Sequence, residues 1–263
     1  MVRTHDFSMR YGPWAVVAGA SEGLGAAFAT ALARRGSNLV LLARRARELE
    51  GVAERLRRDY DVEVRPVVFD LARPDLEHTL RQTTALLDVG VAIYNAAYAP
   101  VGELIDQEPQ ALRAVVDVNV HGPVAFARAL TPAMAARGRG ALVLMSSLAG
   151  LQGTPRLATY AASKAFNITL AESLWVELRP HGVKVVASCA GAIRTPGYAE
   201  VSRREAPGTL DAKEVAERTL AALDRGPRFI PGLINRIVGL VLGRLLPRRL
   251  SIAVMAANTK DLA

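Results

Sequence analysis

The sequence predicts an α/β fold, a doubly wound parallel sheet of about seven strands with helices on both faces. Three observations lead there. Short, continuous apolar runs recur along the chain, and longer amphipathic segments separate them. The runs lack the polar alternation of a half-exposed strand, as expected of strands covered on both faces. A strand–helix unit repeated this often closes into a parallel sheet through right-handed crossovers. Composition agrees: 263 residues, 51% hydrophobic and 22% charged, suit one large domain (1–263) and exclude general disorder.

The elements follow in order. The N-terminal stretch carries Arg3, His5, Asp6 and Arg10 without an apolar run, so it does not read as a secretory signal. Residues 15–18 form the first strand and 25–35 the first helix. The pairs 39–43 with 45–60, and 64–69 with 75–87, repeat the unit. Strand 89–94 leads to one long helix at 110–137, and strand 141–145 to a helix at 159–179. Strand 183–188, a helix at 211–225 and a short strand at 228–230 complete the sheet. Segment 195–208, with Pro196, Gly197, Pro207 and Gly208, is the most loop-like.

Several function classes are excluded. The single cysteine, Cys189, rules out an internal disulfide and argues against a cysteine-ligated zinc. His5, His78, His121 and His181 do not pair at ligand spacing, so no metal site is expected. No run reaches the ~18 apolar residues of a membrane span, and the expected address is the cytoplasm. The net charge of +8 is uneven. From Arg225 onward six Arg and one Lys face only Asp261, a net of +6, which leaves about +2 for the body. The body therefore lacks the uniform basic surface of a nucleic-acid binder.

The first strand runs into Ala18-Gly19-Ala20-Ser21-Glu22-Gly23-Leu24-Gly25 and then a helix. Glycines allow a tight turn and a close backbone approach to a pyrophosphate, whose charge the helix N-terminus favours. A plain β–α turn is the bland alternative; the flanking strand and helix favour the Rossmann-type nucleotide turn. An NAD-binding strand commonly ends in an acid about 20 residues on. That place holds Ala43, followed by Arg44 and Arg45. With no acid to repel a 2′-phosphate and two guanidiniums to hold it, NADP(H) is the expected cofactor.

Tyr160-Ala161-Ala162-Ser163-Lys164 opens a helix, and the i, i+4 spacing sets Tyr160 and Lys164 on one face. An ammonium beside a phenol favours the phenolate and should lower the Tyr160 pKa. Ser147 lies upstream, just after a strand whose C-terminal end should face the ligand crevice. Asn119 is a polar amide amid Val115, Val116, Val118 and Val120. It reads as catalytic, as a satisfied core amide, or as a helix kink. Asp70 closes the third strand, to meet adenine, to cap a helix, or both.

Together these residues resemble the short-chain dehydrogenase/reductase superfamily in its single-domain branch, with 3-oxoacyl reductases and hydroxysteroid dehydrogenases as the nearest types. The resemblance spans roughly 15–225. It implies Gly19, Gly23 and Gly25 at the phosphates, Leu24 as a further cofactor contact, Ser21 with Arg44 in the choice of NADPH, Asp70 and Leu71 at adenine, and Asn95 and Ala96 beside the adenosine. It also implies a tetrad of Asn119, Ser147, Tyr160 and Lys164, with Ile193 and Thr195 at the nicotinamide amide. Asn119 would hold a water that resupplies the proton through Lys164. The sequence departs from the family pattern at Ala18, Tyr94, Ala97 and Ala190, all positions that read as structural.

The implied function is hydride transfer between NADP(H) and a hydrophobic ketone or secondary alcohol, whether 3-oxoacyl, steroid-like or another apolar carbonyl. The competing reading is a nucleotide-binding sensor or scaffold without chemistry, against which the intact tetrad argues. Dehydratase or epimerase branches usually carry a longer substrate domain. Leu148, Gln152, Leu157 and Tyr198 are the substrate-pocket candidates, and a homodimer or homotetramer is the implied assembly. In the basic extension at about 226–263, residues 233–246 place Ile234, Ile237, Val238, Val241, Leu242 and Leu245 on one helical face. Asn235, Arg236, Gly239, Gly243 and Arg244 share the other. The expected role is a lid or subunit contact; the alternatives are a membrane-surface helix and a buried helix with a basic rim.

Overall fold

The computed structural model describes residues 4–202, 205–260 and 262. Arg3, Asp261 and the 203–204 part of the predicted loop lie outside the described residues. The strands are β1 (Trp14–Ala18), β2 (Asn38–Ala43), β3 (Val64–Val68), β4 (Val89–Tyr94), β5 (Gly140–Ser147), β6 (Val183–Ala190), β7 (Ile193–Arg194), β8 (Leu210–Asp211) and β9 (Arg228–Phe229). Seven of them build one parallel sheet in the order β3-β2-β1-β4-β5-β6-β9, and β7 pairs with β8 apart from it.

The helices are α1 (Thr4–Tyr11), α2 (Gly23–Ala33), α3 (Ala46–Asp59), α4 (Leu76–Thr84), α5 (Pro109–Val116), α6 (Gly122–Arg137), α7 (Ala158–Leu178), α8 (Pro196–Val201), α9 (Ala212–Leu220), α10 (Leu233–Leu240) and α11 (Arg248–Thr259). Successive β1 side chains point to opposite faces, which explains the unbroken apolar runs. Ala15 and Val17 join α1, α2, α3 and α9 in one core. Trp14, Val16 and Ala18 join α4, α6 and α7 in the other. The strand order reverses between β1 and β4, the switch point beyond whose strand C-termini sheets of this kind place the ligand crevice.

Two expectations change, and one element is new. The single long helix at 110–137 is two helices, α5 and α6, joined by a π-helical turn at Asp117–His121. The 195–208 segment begins with a short helix, α8, ahead of β8. The N-terminal stretch forms α1, which buries Phe7 and Tyr11; two aromatic side chains four apart are too short a pattern to announce a helix.

The tail also differs from its wheel. Asn235, Gly239 and Leu242 are the buried positions, whereas Leu233, Ile234, Ile237, Leu240 and Leu245 are exposed. The inward stripe is a mixed one, Asn235, Gly239 and Leu242 with Val238 and Val241 half-buried, because the body offers a polar, close-packed seat there. Asn235 Nδ2 donates to the carbonyls of Gly208 at 3.0 Å and Pro231 at 3.1 Å. A Cβ at Gly239 would stand 2.8 Å from Ile230 and 3.3 Å from Leu148. Hydrogen bonding and close approach thus override the hydrophobic stripe.

Candidate active site

The crevice is built first by the turn after β1. Gly19 has φ +82°, and a Cβ there would lie 2.8 Å from Ala96 Cα. A Cβ on Gly25 would lie 1.9 Å from the Gly19 carbonyl oxygen, so both positions require glycine. The amides of Asn95 and Ala96 donate to Ala18 O at 3.0 Å, and Asn95 Nδ2 donates to Gly19 O at 3.0 Å. These bonds tie the ends of β1 and β4 together. Glu22 precedes α2 but makes no side-chain cap, and the first turn carries no acid. Free N–H groups and the dipole therefore face the crevice, a setting that fits a pyrophosphate. Across it, a Cβ on Gly23 would meet the Thr195 methyl at 3.1 Å; the Thr195 hydroxyl accepts from Tyr198 N at 3.2 Å and caps α8.

The two arginines after β2 are not equivalent. Arg45 pairs with Glu22 at 2.7 Å and donates to Ser21 Oγ at 3.1 Å. Its hydrogen bond to Glu22 holds its pKa above the ordinary value. Arg44 is exposed and has no ion pair among the described residues. Only Arg44 is left open to a phosphate; Arg45 must compete with a carboxylate that the sequence reading overlooked. Asp70 caps neither α4 nor any other helix: its Oδ1 accepts from Ala72 N at 3.0 Å, within a turn.

At the other end of the crevice, Ser147 closes β5 and Tyr160 and Lys164 stand on α7. Ser147 Oγ accepts from Ala149 N at 3.1 Å, which fixes its rotamer. Lys164 is 3% exposed; its Nζ donates to Met145 O at 2.9 Å and lies 5.5 Å from the centre of the Tyr160 ring. Burial pushes the Lys164 ammonium down to about 8. Tyr160 is half-buried. Burial holds the Tyr160 pKa above the ordinary value, against a side-chain hydrogen bond with Ser147 that works downward. This corrects the expectation that Lys164 lowers it: the ammonium is spent on a backbone carbonyl, and desolvation dominates.

Asn119 sits in the π-helical turn and is fully buried. Its Oδ1 accepts from Tyr98 N at 2.8 Å; its Nδ2 donates to Tyr98 O at 2.8 Å and to Ser163 Oγ at 3.0 Å. Ser163 Oγ in turn donates to Tyr160 O at 2.7 Å. Both amide hydrogens are used inside the protein, so the side chain has one oxygen lone pair to offer a water. Asn119 is a satisfied core amide at a kink, and through Ser163 it braces the backbone of Tyr160.

The family is now legible from outside the chain. A model described as short chain dehydrogenase matches residues 13–206. The chain belongs to the short chain dehydrogenase family. Over 180 residues it is 40% identical to a very-long-chain 3-oxoacyl-CoA reductase of Podospora anserina, a match covering 66% of this chain and 53% of that protein. It thus spans about half the length of that relative. A structure of 7beta-hydroxysteroid dehydrogenase, studied for its stereoselectivity, superposes with a TM-score of 0.88 at 27% identity, over 94% of this chain and 98% of the other. A short-chain dehydrogenase from Sphingobium yanoikuyae in complex with NADPH gives 0.75 at 32% identity, over 83% and 87%. Short-chain dehydrogenases as a family are oxidoreductases that bind a nicotinamide cofactor.

For a short-chain dehydrogenase the Tyr94 departure has a clear structural role. Its buried hydroxyl donates to Val118 O at 2.5 Å, pairing a carbonyl of the π-helical turn. A Cβ on Gly122 would stand 2.0 Å from that hydroxyl, so Gly122 makes room for it. The sequence reading missed Ser163, Tyr98 and Met145 as partners of the tetrad positions. Two of these act through the backbone, which leaves no mark on residue type. On the substrate side, Gln152 is buried, donates from Nε2 to Leu148 O at 3.1 Å, and keeps an enclosed Oε1 without a partner. Leu157 precedes α7, Ile193 opens β7, and the Tyr198 hydroxyl accepts from Ala206 N at 3.2 Å.

Proposed function

We propose that this short-chain dehydrogenase is an NADP(H)-dependent oxidoreductase acting on a hydrophobic ketone or secondary alcohol, 3-oxoacyl or steroid-like in type. The observation that carries the reading is the convergence of Ser147, at the end of β5, with Tyr160 and a buried Lys164 on α7, the Lys164 Nζ lying 5.5 Å from the centre of the Tyr160 ring. When bound, the nicotinamide supplies or takes up the hydride. The Ser147 hydroxyl holds the substrate oxygen. Tyr160, kept protonated by burial, gives its proton to that oxygen in reduction and recovers it in oxidation, help worth ~10²–10⁴ in rate. Lys164 stands behind Tyr160, steadies the phenolate left after proton transfer, and reaches toward the nicotinamide ribose. Asn119 positions Tyr160 through Ser163.

The glycine turn with Ser21 and Leu24, and Asn95-Ala96, hold the dinucleotide phosphates and adenosine. Asp70 and Leu71 face adenine, and Ile193 and Thr195 face the nicotinamide amide. Arg44, with Ser21 and Arg45 in support, takes the 2′-phosphate. Leu148, Gln152, Leu157 and Tyr198 shape the substrate pocket, where Gln152 Oε1 offers an acceptor. The chain works as one Rossmann-type unit with a basic extension from about 226, in the cytoplasm. It assembles as a homo-oligomer through the outer faces of α5, α6 and α7, which expose Val116, Phe166 and Val176. The experiment is Tyr160→Phe: NADPH should still bind, and ketone reduction should fall ~10³-fold. Unchanged reduction by that variant would remove Tyr160 as the acid.

A further inference from the structure

The outer surface of the tail remains without a partner in the fold. α10 and the π-helical turn Val241–Leu245 expose Leu233, Ile234, Ile237, Leu240 and Leu245, and α11 exposes Leu250 and Val254. Single exposed apolar residues are ordinary; seven on consecutive elements form a patch of the kind that marks an interaction surface. Residues 226–260 contain Arg228, Arg236, Arg244, Arg248, Arg249 and Lys260 and no Asp or Glu. Arg228 is engaged by Glu172, and Arg248 donates to Leu151 O at 2.8 Å. Arg236, Arg244 and Arg249 have no ion pair among the described residues. Arg236 and Arg244 also line a groove of about 340 Å³ with Ile168, Ile230 and Leu240.

From this we infer that the outer face of the C-terminal helices docks on an anionic lipid bilayer, lying in its interface. Apolar side chains flanked by unpaired guanidiniums, with no acid in the segment, match acyl chains below and lipid phosphates above. Among the described residues no helix is long and apolar enough to cross a membrane, so the contact is a surface one. A second copy of this chain fits less well. A two-fold contact would set the patch carrying Arg236, Arg244 and Arg249 against the same basic patch of the second copy, with no acid in either segment to pair with them. The inward side of α10 touches Leu148 and Leu151, beside Ser147. A docked molecule would therefore hold the substrate side of the crevice close to the bilayer. The inference stands on the tail alone and does not depend on the substrate reading.

The test is sedimentation of the full chain with vesicles of phosphatidylglycerol and phosphatidylcholine, against phosphatidylcholine alone. Binding is expected to the anionic vesicles and to weaken steeply at high salt. The variant Arg236→Gln, Arg244→Gln, Arg249→Gln should bind about a hundredfold more weakly, since each arginine near such a surface is worth about fivefold. Ile237→Asp with Leu240→Asp, both on the exposed face, should abolish binding. Equal binding to both vesicle types, or none to either, overturns the inference. So does a shift from dimer to monomer in the Ile237→Asp, Leu240→Asp protein with vesicle binding unchanged, which would make the face a subunit contact. Docking and chemistry fail separately: the tail variants should reduce a small water-soluble ketone at the wild-type rate, whereas Tyr160→Phe should dock normally.

Discussion

Replacing Lys164 with methionine should make the nucleotide-free protein more stable at neutral pH while disabling it. The structure allows the magnitude to be worked out. Burial holds the ammonium at about 8 rather than its ordinary 10.5. Each pH unit between those values is worth about 1.4 kcal/mol, so keeping the charge inside at pH 7 costs about 3 kcal/mol. Methionine matches the length and removes that cost. It also removes the donor to Met145 O, and an orphaned buried carbonyl costs about 1–2 kcal/mol. The net expectation is a gain of about 1–2 kcal/mol at pH 7. The pH dependence is the sharper signature. Between about 8 and 10.5 the unfolded chain keeps a proton that the folded protein has shed, so stability rises with pH in the wild type. The variant lacks that rise. Urea denaturation of both proteins at pH 7, 8 and 9 and at one fixed concentration reads the difference directly. Wild-type stability should climb relative to the variant by about 1 kcal/mol for each pH unit above 8. Parallel profiles, or a variant less stable at pH 7, would refute the desolvation argument.

Other outcomes follow from the same geometry. Arg44→Ala should lower the preference for NADPH over NADH by ~10–100-fold and spare NADH, since a charge-assisted phosphate contact is worth ~1.5–3 kcal/mol; fluorescence titration with each nucleotide checks it. Glu22→Gln should release Arg45 and tighten NADPH several-fold in the same assay, because the 2.7 Å pair it breaks competes for that guanidinium. Gly25→Ala should weaken both nucleotides at least tenfold, as its Cβ has no place beside Gly19 O. Asn119→Ala should destabilise the fold by about 2–4 kcal/mol in urea titration, since it strands the backbone of Tyr98 and frees Ser163.

Much of the scaffold was legible because it depends on local or periodic signals. Strands covered on both faces must be continuous apolar runs, and residues 89–94 were bounded correctly on that ground alone. The glycine turn was legible for a similar reason: a backbone that approaches as closely as Gly19 and Ala96 tolerates no side chain, and that prohibition is visible as residue type. The positions of Tyr160 and Lys164 on one face of α7 follow from helical spacing.

What the residues do to one another was not legible, because it rests on groups distant in sequence and often on backbone atoms. Lys164 beside a phenol suggested a lowered tyrosine pKa. The fold turned the ammonium to Met145 O and desolvated the phenol, which reversed the direction. Arg44 and Arg45 read alike until Glu22 was brought to one of them. The tail shows the division most plainly. Composition and spacing determined an amphipathic, basic helix. Tertiary structure decided which side faces the body, where the Asn235 amide meets the carbonyls of Gly208 and Pro231. An unpaired buried carbonyl costs more than an apolar side chain left at the surface gains by turning inward, and that comparison exists only once the chain is folded.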